Sequence, residues 1–309
     1  MTDAVGHSDP LRIGIVGGGF IRTTVGVGFR DHEAARIAAL VDIDEPTLDA
    51  AGAKLGVDPE ARELVALNDD REPVLMVGYQ RHLDPAFIRA REVWASADRE
   101  PRWITATVGQ QWVDRFRGTW RQNPDLSGGG YLYDTGSHLL DCILWSTRLT
   151  PDAVSATMHF IDEEGAEPRS ADSRAAAPRG RVDGSASVTV RFTNGALATV
   201  SLSGEIPCMR EQIWMWDEQG AVGLSAYNWE PSEYVEVDAD NGEYWPRIRR
   251  RTRRTKADAF SEAIRTGEEP VATALDGLRV TAVTEAAYES ARNEGAFVGV
   301  DAEDVALNN

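Results

Sequence analysis

The sequence predicts a two-domain chain of α/β plus α+β class: a short parallel sheet over residues 1–80, then a mainly antiparallel, open-faced sheet with helices on one face over 81–309. Three observations predict it. An apolar run from Leu11 to Val16 ends in Gly17-Gly18-Gly19 and leads through a helical stretch to a second apolar run closing on Asp42. Later segments follow one another as strands, many separated by turn signals such as Asn194-Gly195. A length of 309 residues at 42% hydrophobic content suits two modest cores.

Taken in order, 11–16, 20–29 and 35–42 read as strand, helix and strand, the opening of a βαβ unit. Pro46 at a first-turn position predicts a helix ending near Gly56. Pro59 begins another, residues 74–79 read as a buried strand, and 83–97 are helical with Phe87, Ile88, Ala90 and Trp94 on an apolar stripe. A strand, a glycine turn, a helix and a terminal acid together predict Rossmann-type topology. Gly17 and Gly19 would let backbone approach a pyrophosphate, with Phe20 and Ile21 at the start of the receiving helix. Asp42 would accept the ribose hydroxyls and repel a 2′-phosphate, so NAD is expected rather than NADP. Arg22 occupies the third fingerprint position, and Gly26 and Gly28 lie inside the helix, each at a cost of about 1 kcal/mol relative to Ala.

Past residue 100 the period changes. Strands are expected at 103–112, 153–161, 182–192, 196–203, 212–216, 221–224 and 233–237, and helices beside that sheet at 131–146, 256–266 and 272–293. Residues 162–181 have no periodicity and read as an excursion between two strands. Within 131–146, Leu132, Gly136, Leu139, Leu140 and Ile143 form a core face, while Asp134 and His138 share another. A neutral His beside a carboxylate suits proton transfer from an alcohol as hydride leaves the same carbon. Gly128 to Gly130 would leave room for a substrate.

The stretch GGGYLYDTGSHLLD resembles the GGGxxxDxGxHxxD signature of the glucose–fructose oxidoreductase, inositol dehydrogenase and rhizopine-catabolism (Gfo/Idh/MocA) family. RIGIVGGGF, ALVDID and VLMVGYQRHLDPAF resemble other parts of the same family. The resemblance implies a nicotinamide enzyme acting on a sugar, inositol or related polyol, and a homo-oligomer assembled through the second-domain sheet. By matching positions, His138 would be the proton acceptor, Asp134 its partner or a substrate anchor, and Gly17, Gly19 and Asp42 cofactor contacts. Trp120 and Arg121, just before the glycines, would border the substrate.

The sequence departs from the family in two respects. The Glu-Lys-Pro motif that supplies a lysine near the nicotinamide is absent, and Lys54 and Lys256, the two lysines present, lie in other contexts. Two helices fill the span between Asp42 and Val74, where the resemblance calls for further strands, so the nucleotide domain is expected to be shortened, with a join near residues 62–70. Impaired dehydrogenase activity follows as one expectation, and a non-catalytic sugar-binding or interaction subunit as the alternative.

Composition narrows the remaining classes. A net charge of −18 opposes nucleic-acid binding. No signal peptide or membrane span is legible, so a cytoplasmic protein is expected. Cys142 and Cys208 offer neither a disulfide framework nor a metal motif. Acid-rich composition with two lysines fits a halophilic protein working in concentrated salt, or an Arg-biased genome. The basic run at 247–256 reads as a solvated connector, and Trp214, Trp216 and Trp229 as sheet-face packing before a sugar-stacking wall.

Overall fold

The computed structural model describes residues 10–16, 20–41, 45–57, 74–95, 99–161, 181–228, 230–240, 242–246 and 254–301. The Gly17–Gly19 turn, Asp42, the helix expected from Pro59, most of the 162–181 excursion, Trp229 and the greater part of the basic run lie outside them. The chain forms two compact units, Met1–Leu83 with Arg251–Thr273, and Asp84–Arg250 with Ala274–Asn309.

In the first unit, β1 (Leu11–Val16) and β2 (Ala35–Val41) pair in parallel, joined by α1 (Phe20–Arg30), and α2 (Glu45–Leu55) follows. This is the expected βαβ order. Ile13, Phe29 and Ala35 form a core with Leu11, Val25 and Ile37, and Ala51, Leu55 and Val57 pack with Ile15 and Val27. The helix glycines have a packing reason: a Cβ on Gly26 would meet Leu55 at 3.0 Å and Ile15 at 3.3 Å. Close approach of α1 to β1 and α2 therefore falls to Gly26, a turn beyond the position held by Arg22.

Two expectations for this part of the chain are corrected. Residues 74–79 are not a strand: Val77 N–H donates one bond to the Ala272 carbonyl at 3.0 Å, and Leu75 is 66% exposed. An apolar run becomes a buried strand only with neighbours on both sides, and the described sheet here contains β1 and β2 alone. The helix at 256–266, expected beside the antiparallel sheet, belongs instead to the first unit. This helix, α7 (Lys256–Thr266), sets Ala257 beside Gly28 and turns Phe260 edge-on to Phe29. It starts in a capping box between Thr255 and Asp258, whose carboxylate also meets His32 Nε2 at 3.2 Å.

The second unit opens with α3 (Pro85–Ala95) and β3 (Trp103–Gln111), then two short helices, α4 (Trp112–Arg115) and α5 (Pro124–Ser127). A π-helical turn, Leu132–Gly136, runs into α6 (Ser137–Thr147). The strands β4 (Pro151–Phe160), β5 (Asp183–Phe192), β6 (Leu197–Ser203), β7 (Glu205–Trp216), β8 (Gly220–Tyr227), β9 (Glu230–Asp238) and β10 (Gly242–Tyr244) follow. Last come α8 (Ala274–Arg292) and β11 (Val298–Gly299).

The sheet runs β10-β9-β8-β7-β3-β6-β5-β4-β11 and is antiparallel except between β3 and β6. Period-2 alternation buries one face. Ile104, Ala106 and Val108 of β3 lie beside Ala198, Val200 and Leu202 of β6 and Ile213 and Met215 of β7, all buried. On the other face Trp103 and Leu197 are exposed, and Trp214 stacks on Trp216 with ring centres 5.4 Å apart. Trp214 also fills the space over Gly223, where a Cβ would come within 2.7 Å of its ring. Sheet-face packing is thus the observed role of these two tryptophans.

Two part-buried carboxylates tie the margin of this unit together. Arg99 donates to both oxygens of Asp217 at 2.7 Å, and Glu236 accepts from Arg89 at 2.9 Å, from Tyr234 at 2.9 Å and from Tyr244. Burial pushes both carboxyls up, but the donors outweigh it and leave each below the usual range. The stability they contribute is present above the ordinary carboxylate pKa of about 4 and is lost as pH falls through the lower folded values. Asp217→Asn should therefore flatten the acid limb of a pH–stability curve followed by circular dichroism. An unchanged slope would show that the Arg99 pair contributes nothing there.

Candidate active site

β3 carries Trp112 to its C-terminal end, where the strand stops. Both Trp112 N–H and Val113 N–H donate to the Gly204 carbonyl, at 2.7 and 2.9 Å, and the chain turns into α4. Residue 112 was expected to close the strand. It opens a helix instead, because one carbonyl captures two successive amides and the ladder cannot continue.

The glycine-rich turn then delivers the signature segment. Leu132, Gly136, Leu139, Leu140 and Ile143 are buried, as their spacing predicted, and Asp134 and His138 are each half-buried. The turn carrying Asp134 is π-helical, an element found most often as a single turn at functional sites. Gln110 Nε2 donates to Thr135 Oγ1 at 2.7 Å and pins this turn to β3.

Asp134 is held from two sides. Trp112 Nε1 donates to its Oδ2 at 2.6 Å, and Arg121 Nε lies 3.4 Å from the same oxygen. The Arg121 guanidinium lies over two rings, 4.6 Å from the Phe116 ring centre and 4.7 Å from that of Trp120. Oriented in this way, Asp134 can accept hydrogen bonds. His138, one turn further on, is the better base by chemistry.

The neighbouring residues Trp120 and Arg121 differ in exposure. Arg121 is largely buried behind Asp134, whereas Trp120 is 52% exposed and lines an open groove of about 680 Å³ with Val113, Asn123 and Val182. Phe20 and Ile21 open α1 in the first unit. Among the described residues no group of three His, Cys, Asp or Glu side chains could hold a metal ion, and no helix is long and apolar enough to cross a membrane.

Two residues escaped the sequence reading. Asp183, at the head of β5, accepts from Gly130 N–H at 2.9 Å and Leu132 N–H at 2.8 Å, and Tyr288 of α8 donates its hydroxyl to the same carboxylate. The Asp183-Gly184 pair was visible as a turn signal. Nothing in sequence joined it to Tyr288, which lies 105 residues away.

Residues 95–222 match the model of the GFO/IDH/MocA C-terminal domain. That match lies within the second unit and covers less than half of the chain. No curated protein matches the chain. Among solved structures, GenD2 from gentamicin A biosynthesis, in complex with NAD, aligns over 97% of this chain and 99% of its own at 19% identity and a TM-score of 0.70. An aldose-aldose oxidoreductase from Caulobacter crescentus, complexed with glycerol, covers 94% and 99% at 22% identity and a TM-score of 0.73. Levoglucosan dehydrogenase, in complex with NADH and levoglucosan, covers 95% and 100% at 16% identity and a TM-score of 0.69. At these identities the solved structures establish a shared fold. The GFO/IDH/MocA domain match spans Asp134, His138, Trp112, Arg121 and Asp183.

Proposed function

We propose that this chain is a cytoplasmic, nicotinamide-dependent oxidoreductase that moves hydride between NAD and a sugar, inositol or related polyol, with turnover lowered by the missing Glu-Lys-Pro lysine. The observation that carries it is the Asp134–His138 face inside the GFO/IDH/MocA domain, with Asp134 oriented by Trp112 and Arg121. NAD bound to GenD2, and NADH with levoglucosan bound to levoglucosan dehydrogenase, support the cofactor and substrate class.

The first unit suits such a cofactor in one observable respect. Gly26 lets α1 close onto β1 and α2, the packing a dinucleotide-binding βαβ unit needs. Gly17, Gly19, Phe20 and Ile21 would hold the pyrophosphate and Asp42 the ribose, favouring NAD over NADP. When bound, NAD supplies the acceptor for hydride. His138 takes the hydroxyl proton of the substrate, Asp134 orients it or anchors the substrate, and Trp120 and Arg121 border the sugar. The exposed sheet face around Trp103, Trp214 and Trp216 is the surface for assembly of a homo-oligomer.

One observation favours a second reading, a sugar-binding subunit without turnover. Lys54 and Lys256 both belong to helices of the first unit, so the domain holding Asp134 contains no lysine. Titration of NADH fluorescence separates the two. Saturable binding near one cofactor per chain, weaker for NADPH, is expected. Sugar binding by calorimetry with no response to NADH would move the assignment to the second reading.

A further inference from the structure

Asp183 is fully buried, and its carboxylate accepts from two amides and a hydroxyl. A buried carboxylate so placed is costly to build, and burial holds its carboxyl above the usual range. The bonds around it form a closed ring. From Asp183 the ring passes to Gly130 N–H at 2.9 Å, and the Gly130 carbonyl accepts from Asp134 N–H at 3.0 Å. The Asp134 carboxylate accepts from Trp112 Nε1, and Trp112 N–H donates to Gly204. Gly204 N–H donates to the Gly184 carbonyl at 2.6 Å, next to Asp183 in the chain.

Three glycines keep the ring tight. A Cβ on Gly130 would lie within 2.6 Å of Asp183 Oδ1, on Gly184 2.5 Å from Ile161, and on Gly204 3.1 Å from the Gly184 carbonyl. Tyr288 closes the outer side: Gly130 N–H reaches its hydroxyl oxygen at 2.9 Å while that hydroxyl donates to Asp183. Both ends of the support for Asp134, the amide turn beneath it and the indole beside it, therefore lead back to one residue.

We propose that Asp183, with Tyr288, is the positioning residue of this site, fixing the π-helical turn and thereby the placement of Asp134 and His138. Its kinetic consequence rests on the oxidoreductase reading above, whereas its structural consequence does not. Asp183→Asn turns one accepting oxygen into a donor facing an amide donor, and Tyr288→Phe removes one hydroxyl alone.

The test is made on the full chain. The indole N–H resonance of Trp112, assigned by its loss in Trp112→Phe, reports the bond to Asp134, and steady-state kinetics on a polyol panel report placement. In Asp183→Asn the resonance should move or broaden, and kcat/KM should fall by about 10²-fold, mainly in kcat, with NADH affinity unchanged. Tyr288→Phe should shift both the same way by less. An unmoved Trp112 resonance in a folded Asp183→Asn protein overturns the proposal. If that variant does not fold, an unmoved resonance in Tyr288→Phe does so. A wild-type chain that turns over no polyol would defeat the oxidoreductase reading, and the resonance would still decide the role of Asp183.

Discussion

Replacing Gly130 with alanine is expected to destabilise the chain by about 3 kcal/mol, at the upper end of the usual cost of overpacking. The added methyl would lie 2.5 Å from the Asp183 backbone nitrogen and 2.6 Å from its Oδ1. These atoms cannot swing aside, because the nitrogen is main chain and the carboxylate is held by Leu132 and Tyr288. Gly78 is the control: a Cβ there meets nothing within 4 Å, so Gly78→Ala should be nearly neutral. Urea unfolding of both variants measures the difference. Equal midpoints would mean that the turn relaxes freely and Gly130 is not a fixed point of the site.

The second large effect belongs to His138. His138→Gln keeps a polar side chain of similar size but removes the group that accepts a proton near neutral pH, so turnover should fall by about 10²- to 10⁴-fold. NADH binding should be unaffected, because the residues proposed to hold the cofactor belong to the other unit. Stopped-flow hydride transfer with saturating polyol reads the chemical step. A loss confined to KM would make His138 a substrate contact and not the base.

Much of this site was legible because helical spacing is a strong constraint. Five apolar positions of the signature segment had to share a face, and all five are buried while Asp134 and His138 are half-buried. Strand alternation likewise located most of the large sheet. What sequence could not convey is which main-chain groups meet across distance. Trp112 reads as the end of an apolar strand, yet it is the donor that orients Asp134, because Gly204, from a different turn, stops β3 one residue earlier. Asp183 and Tyr288 carry no local signal that they converge on Gly130. The π-helical turn is invisible for a similar reason, since it changes hydrogen-bond partners without changing the apolar pattern. The helix from Lys256 was expected from the sequence, but periodicity does not say which core receives it, and Gly28 with Phe29 provides the surface it packs against.

The central claim is that the Asp134–His138 face oxidises or reduces a polyol with NAD. Polyol-dependent appearance of NADH, followed by nicotinamide absorbance with the purified full chain over a panel of sugars, inositols and their acids, tests it most directly. Slow, saturable turnover that requires NAD and disappears in His138→Gln is expected. Binding of a panel member detected by calorimetry, with no NADH formed and no response to added NAD, would contradict it.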